Sequence, residues 1–446
     1  MAMNIHFNNK NYVVEPEKYL QHCTCGNRHP PISIKMYSGT DAYTHLARDC
    51  RQAVGGGSVL LVDDENTHRA AGGMVVTCLQ ENSVRHQVIT LPGDTTVTDR
   101  LSERITAASS RHGLIVAVGA GTINDLGKYA AGKRNIPYWT VPTAPSMNGY
   151  TSSIAAVKIK GVKRTLPAPP PQFIYVHPEV IRQAPMKLRQ AGLCDVLAKS
   201  VSDIDWQIES LLFGGNYCAL PSAIVAESES SYMGHPEGIA QGNVKTITGL
   251  FKGLLVSGVA MSLAGSSAPA SGGEHLISHF LDMRASLTKR TPELHGLQVG
   301  AGVILSASCY RQLALINEKD LRSTAAYAFS TDAGNIPSVW GNMAAEVEKQ
   351  FLKKREHLLA FDRLLPENWQ TLKVLFDKVK KPQFFIDLIR RAGFEMTLEA
   401  LNLLKDEFRL AALASRTIRD RITVLDLAAH TGVLEDATAA ALELLT

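Results

Sequence analysis

The 446-residue chain has no long apolar run, no marked excess of charge and no set of cysteines spaced for pairing. Its most apolar stretch, GLLVSGVAMSLAG at 253–265, is short for a bilayer span and rich in small residues. It reads as a helix packed closely against another helix, so no membrane partner is expected. The formal net charge is +4, and the basic residues are scattered with no basic block interleaved with aromatics. That pattern gives no ground for nucleic acid as a partner. The seven cysteines are an odd number and dispersed, which argues for reduced thiols and a cytoplasmic protein. The opening MAMNIHFNNKNYVVEPEKYL lacks the apolar core of a signal peptide, so export is not expected. No internal repeat and no low-complexity tract is visible.

What is present is an ordinary globular composition, 45% hydrophobic and 20% charged, over a length that suits two or three domains. Short apolar runs alternate with helical stretches at first: SVLLV at 58–62, HQVITL at 86–91, LIVAVG at 114–119, IPYWTVP at 136–142 and FIYVH at 173–177. That alternation is the mark of a parallel α/β sheet. Between the last two runs lies a long connection, stiffened at Pro169-Pro170-Pro171, which cannot be helical there. Beyond about residue 185 helical periodicity dominates. The expected fold is an α/β N-terminal nucleotide-binding domain with a parallel sheet, residues 1–183, followed by an all-α C-terminal domain, residues 184–446, that binds metal and substrate.

Several constellations carry chemistry. The run at 114–119 ends in Gly119-Ala120-Gly121-Thr122-Ile123 and opens a helix. Such a turn lets backbone N–H groups and the helix dipole hold a diphosphate, or is simply a tight turn. The earlier run at 58–62 stops at Asp63-Asp64, of which Asp64 is the better candidate for ribose hydroxyls; an acid capping the next helix is the other reading. Thr143-Ala144-Pro145-Ser146-Met147-Asn148-Gly149 follows a strand directly, where hydroxyl side chains line ligand crevices and where Pro, Asn and Gly also build turns.

In SGGEHLISHF, His275 and His279 are four apart and share one helix face beside Glu274. Two core histidines and a ligand site are both open on that spacing. Asp195 in AGLCDVLAK and His295 in LHGLQVG could complete a catalytic divalent-metal set of one carboxylate and two imidazoles. Asp195 could equally cap its helix, and His295 could be a lone surface residue. Cys23, Cys25 and His29 cluster after His22 in HCTCGNRH, but no second cysteine pair follows at zinc-ribbon spacing.

Taken in order, GAGTINDLGKYAA, VPTAPSMNGYTSS, KRTLPA, AGLCDVLAK-SVSDIDW, GGEHLISHFLDM, LHGLQVG and IRDRITVLDLAA resemble the iron-containing alcohol dehydrogenase and 3-dehydroquinate synthase superfamily. They resemble more closely its bacterial sn-glycerol-1-phosphate dehydrogenases, and CTCGNRH looks like the start of those members. The resemblance covers essentially the whole chain. It implies an active site in the cleft between a nucleotide domain and a helical domain, with metal on Asp195, His275 and His295. It implies that Asp195 and His279 are catalytic, with His279 contacting substrate. It puts the cofactor diphosphate on Gly119, Ala120, Gly121, Thr122 and Ile123, and the nicotinamide half near Thr143, Ser146 and Ser152.

The chain departs from the family pattern at three positions. Asn148 stands where the family usually has a substrate-binding Asp, Cys194 stands where it has Gly, and Ala120 replaces the middle glycine of the turn. The implied activity is a metal-dependent, NAD- or NADP-linked oxidation of sn-glycerol 1-phosphate to dihydroxyacetone phosphate. The ion would be zinc, nickel or iron, the partner a small phosphorylated polyol, and the protein a homodimer. Lys163 and Arg164 are candidates for the phosphate, or else a solvated basic pair. Because of Asn148, another polyol, a polyol phosphate or a phosphonate stays open as substrate. A dehydroquinate synthase-like lyase stays open as the reaction.

Overall fold

The computed structural model of the chain describes residues 10–14, 20–21, 23–215, 217–321 and 325–446. Its main sheet has the strand order β1-β2-β9-β6-β5-β3-β4. The strands are β1 Lys10–Val14, β2 Ile34–Ser38, β3 Val59–Asp64, β4 His86–Leu91, β5 Leu114–Gly119, β6 Tyr138–Pro142 and β9 Phe173–Val176. Only β1 runs antiparallel to its neighbour; β2, β9, β6, β5, β3 and β4 pair in parallel. All five expected runs are strands of this sheet.

The reason is burial on both faces. Successive side chains of a strand point to opposite sides. Leu60, Val62, Ile115 and Ala117 pack with Ile105, Ile123 and Leu126 on one side. Val59, Leu61, Leu114 and Val116 pack with Leu46, Ala47, Val75 and Leu79 on the other. A strand covered twice needs apolar residues throughout, which is why the runs of β3 and β5 show no polar alternation. Each such side chain contributes roughly 1.5–3 kcal/mol when fully buried.

Two features differ from the sequence reading. The long connection contains a hairpin, β7 Ile154–Ile159 and β8 Val162–Pro167. Its turn residues Lys160 and Gly161 both have positive φ, 49° and 82°, the backbone that a two-residue hairpin turn requires.

The compact units also differ from a single cut at 183/184. One unit holds the described residues up to Ile159 together with Lys163–Val196 and Cys218–Ser267; the other holds Leu197–Tyr217 and Ala268–Thr446 with Lys160–Val162. The physical reason is the helix Val244–Ala264. Its Phe251, Leu255, Val259 and Leu263 fall at four-residue spacing and pack on Ile34 and Met36 of β2 and Ile174 and Val176 of β9. The apolar run at 253–265 is thus most of a 21-residue helix, longer than the run itself and apolar enough by composition to cross a membrane, yet 83% of its most apolar window is buried inside the protein. It lies against the helix Ala219–Met233, where a Cβ at Gly253 would meet the Tyr232 ring at 2.6 Å.

Within the first unit one buried cation fixes the loop after β6. Lys128, on the helix Gly121–Arg134, donates to the carbonyl oxygens of Gly149 (2.6 Å), Ser152 (3.0 Å) and Ile154 (3.1 Å). Asp125, one turn earlier, accepts the Ala156 N–H at 3.1 Å and provides the counter-charge. Burial pulls the Lys128 ammonium down to about 8, with Asp125 opposing the shift.

The second unit is helical. The helix His295–Leu315 is buried from Gly296 to Tyr310 and runs beside Gly273–Thr288. At Gly302 the two backbones touch, because a Cβ there would run into the Glu274 carbonyl oxygen.

Lys128→Met should destabilise the protein by about 3–5 kcal/mol, since it strands a carboxylate and three carbonyl oxygens. The double variant Lys128→Met/Asp125→Asn should recover part of that loss. Thermal unfolding of the four proteins measures both.

Candidate active-site residues

In the first unit, β3 and β5 are adjacent, and the chain leaves them toward opposite faces of the sheet. The carboxyl ends of two such strands open a crevice where α/β proteins bind ligands. The turn at the end of β5 sits there. A Cβ on Gly119 would lie 2.6 Å from the Ile123 Cβ, so glycine is needed for the chain to turn this tightly. Ala120 is the N-cap of Gly121–Arg134 and has no side-chain acceptor to offer the first-turn N–H groups of that helix. Uncapped N–H groups at a helix start suit an anion. The methyl group of Ala120 is accommodated at φ −95°.

At the end of β3, Asp63 is fully buried and its Oδ2 lies 2.6 Å from His68 Nδ1, so it is closed to a ligand. Asp64 is half-buried and caps the following turn: its Oδ1 accepts the N–H groups of Asn66 at 2.9 Å and Thr67 at 2.8 Å. Capping and ribose binding thus fall on the same side chain, with Oδ2 as the oxygen for a ligand.

The loop after β6 is held on several sides. The Thr143 N–H donates to the Gly119 carbonyl at 3.3 Å, and Tyr150 Oη donates to the Ala144 carbonyl at 2.7 Å. The helix Met186–Leu197 approaches so closely that a Cβ at Gly192 would collide with the Pro145 carbonyl oxygen. This contact brings Asp195 under the loop, where its Oδ2 accepts the Asn148 backbone N–H at 2.7 Å. Thr143, Ser146 and Asn148 are each less than a tenth exposed, and the Asn148 Nδ2 is buried with no hydrogen-bond partner among the described residues. Cys194 is fully buried, a core side chain where the family pattern has glycine.

Ser152 is fully buried; its Oγ accepts from Lys128 Nζ at 3.2 Å and donates to the Gly149 carbonyl at 2.9 Å, which holds the loop together. Lys163 and Arg164 are neighbours on β8, so their side chains leave opposite faces of the hairpin and cannot grip one phosphate together.

In the second unit the three histidines converge. The ring centroids of His275 and His295 are 5.2 Å apart, those of His275 and His279 6.1 Å, and those of His279 and His295 5.7 Å. His275 and His279 are therefore not two independent core histidines, and His295 is not a lone surface residue. Glu274 is fully buried; its Oε1 accepts the Gly272 N–H at 2.7 Å and lies 2.8 Å from His275 Nδ1. Ser278 Oγ lies 2.6 Å from His295 Nδ1. Both rings are thus oriented through Nδ1, which sets the tautomer that offers the Nε2 lone pair. Arg419 donates to His279 Nδ1 at 3.1 Å, which leaves the proton of that ring on Nε2.

Beneath these groups, Asp205 accepts from the N–H groups of Gly273 and Val424, both at 2.7 Å, and from Tyr310 Oη at 2.5 Å. It pins the start of the histidine helix to two other segments. Sequence reasoning gave Arg419, Asp205 and Glu274 no role. Arg419 lies in IRDRITVLDLAA and Asp205 in SVSDIDW, both visible as family stretches, but nothing local says what they touch.

Comparison with known proteins fits this arrangement. A family profile described as "Iron-containing alcohol dehydrogenase" matches residues 37–185. The chain is 28% identical over 423 residues to the glycerol-1-phosphate dehydrogenase [NAD(P)+] of Bacillus licheniformis, covering 94% of each protein. It is 33% identical to that of Geobacillus stearothermophilus over 67% of this chain and 76% of the relative. Among solved structures, a probable glycerol dehydrogenase from Sinorhizobium meliloti 1021 superimposes with a TM-score of 0.60 at 16% identity, covering 92% of this chain and 96% of that one.

Proposed function

The chain belongs to the glycerol-1-phosphate dehydrogenases of the iron-containing alcohol dehydrogenase family, and from that premise we propose that it interconverts sn-glycerol 1-phosphate and dihydroxyacetone phosphate. It is an NAD(P)-dependent oxidoreductase that acts on a small polyol. The observation that carries the reading is the paired orientation of His275 by Glu274 and of His295 by Ser278. The residues that the family likeness assigns to the metal, Asp195, His275 and His295, offer one carboxylate and two imidazoles, which suits a divalent zinc, nickel or iron ion. Buried partners on both Nδ1 atoms are what such ligands need. When bound, the ion supplies Lewis-acid polarisation of the reacting oxygen and the nicotinamide takes the hydride from the adjacent carbon.

The rest is the work of this chain. The first-turn N–H groups from Gly121 to Ile123, with Gly119 and Ala120 behind them, hold the diphosphate. Thr143 and Ser146 bound the nicotinamide side. Asp64 Oδ2 takes ribose hydroxyls, and its charge opposes a 2′-phosphate, so NAD is the preferred form. His279, with its proton on Nε2, donates a hydrogen bond to the substrate oxygen and so orients the reacting carbon. Arg419, already on His279, is the cation we assign to the substrate phosphate. A homodimer in the cytoplasm completes the reading.

A second reading keeps the chemistry and changes the substrate. It is favoured by Asn148, whose buried Nδ2 has no protein acceptor among the described residues and can donate to an anionic or carbonyl oxygen that an Asp would repel.

Metal-reconstituted protein should consume NADH with dihydroxyacetone phosphate. It should form NADH over many turnovers from glycerol 1-phosphate, faster than from glycerol 3-phosphate or glycerol. Sustained NADH formation also separates a dehydrogenase from a lyase that recycles its cofactor. Asn148→Asp should shift preference toward unphosphorylated glycerol, and an unchanged panel clears Asn148 of a role in selection. Arg419→Gln should raise KM for the phosphorylated substrate roughly 10- to 100-fold, the loss of one charged hydrogen bond, and raise KM for glycerol far less, while kcat falls with both because His279 loses its Nδ1 donor. Glu274→Gln should weaken metal affinity about 10- to 100-fold, read by equilibrium dialysis, because the acceptor on the imidazole loses its negative charge.

A further inference from the structure

The N-terminal CTCGNRH stretch plays no part in the dehydrogenase reading, yet the fold gives it a fourth member. Cys218, far along the chain, brings its thiol to Cys23, Cys25 and His29. We propose that Cys23, Cys25, His29 and Cys218 bind a zinc ion in a closed, structural site. All four side chains lie in the first unit, and their ligand atoms fall within 4.8 Å of one another. Cys23 Sγ is 3.2 Å from Cys25 Sγ and 3.4 Å from Cys218 Sγ. His29 Nε2 is 3.3 Å from the thiols of Cys23 and Cys25 and 3.8 Å from that of Cys218. A zinc tetrahedron with ordinary metal–sulfur and metal–nitrogen bonds has edges of about 3.5–3.8 Å, so these atoms already stand near its corners.

The supporting contacts fit the same use. His29 Nδ1 lies 2.9 Å from the Leu263 carbonyl, which keeps the proton on Nδ1 and aims the Nε2 lone pair at the three sulfurs. The Asn27 N–H donates to Cys25 Sγ at 3.3 Å, a contact that favours a thiolate. Gly26, between them, has φ +73°, so the turn that brings two ligands around one point needs the left-handed backbone that glycine adopts without strain. Cys218 is the N-cap of Ala219–Met233 and is buried, while the other three ligands are half-buried. His22, beside the cluster in sequence, lies outside the described residues.

Three thiolates and one imidazole select zinc over the harder divalent ions. Four protein ligands leave no open position, so the site is structural. The ion would fasten the segment before β2 to the start of one long helix through Cys218. Through His29 it would fasten it to the last turn of another, Val244–Ala264. Those two helices cover β2 and β9, so the clip closes that side of the sheet and joins positions 189 residues apart.

The test is elemental analysis and cobalt substitution of the full-length protein, purified anaerobically with reductant. Wild-type protein should retain zinc through dialysis. After exchange with cobalt it should show a thiolate-to-cobalt charge-transfer band. The band identifies this site specifically, because Asp195, His275 and His295 contain no sulfur, so it appears or fails independently of the dehydrogenase reading. Cys218→Ser and Cys25→Ser should each lose the band and one equivalent of metal, with a fall in Tm of roughly 5 °C. Wild-type protein that shows no thiolate band, or that carries a disulfide among these cysteines with zinc supplied, overturns the proposal. So would a band that persists in both variants.

Discussion

The candidate site depends on backbones that touch with no side chain between them. In the second unit the Gly273–Thr288 and His295–Leu315 helices meet at Gly302, against the Glu274 carbonyl. In the first, Gly192 brings the Met186–Leu197 helix onto the Pro145 carbonyl. Helix axes usually stand 8–10 Å apart because side chains fill the gap. Removing the Cβ lets the elements close further, and the chemistry-bearing side chains come within reach as a result. His295 meets Ser278 and His275, and Asp195 meets the backbone of Asn148. Placement of this kind is rigid, since interiors pack at crystal density and cannot give locally.

Charge is buried only where something distant requires it. Lys128 gives up hydration to hold three carbonyls of an irregular loop that has no ladder to satisfy them. Asp205 does the same for two backbone N–H groups and a tyrosine. Glu274 is committed to one imidazole and one N–H. A buried charge of this sort adds little net stability when compared with an apolar replacement, but removing its partner is costly. That asymmetry gives the loop after β6 and the start of the histidine helix single, well-defined conformations. A site that must present ligands within a fraction of an ångström needs that definition.

Much of this was legible before any coordinates. The central runs at 58–62 and 114–119 are strands because a strand covered on both faces must be apolar throughout, and that is a local property of sequence. The glycine turn and the His275/His279 pair were visible for the same reason, since spacing along one element is fixed by its own geometry, while Asn148 stood out only against the family pattern. The hairpin at Ile154–Pro167 was hidden by the prolines that follow it, although Lys160-Gly161 between two short alternating runs was a usable signal.

Composition and order along the chain by themselves determined the sheet, the helical remainder, the family and the residue types at the site. Tertiary structure alone decided that Ser152 is locked beneath its loop, that Val244–Ala264 belongs with the sheet, that Arg419 reaches His279, and that Cys218 stands beside Cys23, Cys25 and His29. The physical reason is reach. Periodicity records which face of an element is buried, but a contact between residues a hundred or more positions apart depends on loop closure and on the packing of everything between them, and no local pattern carries that information.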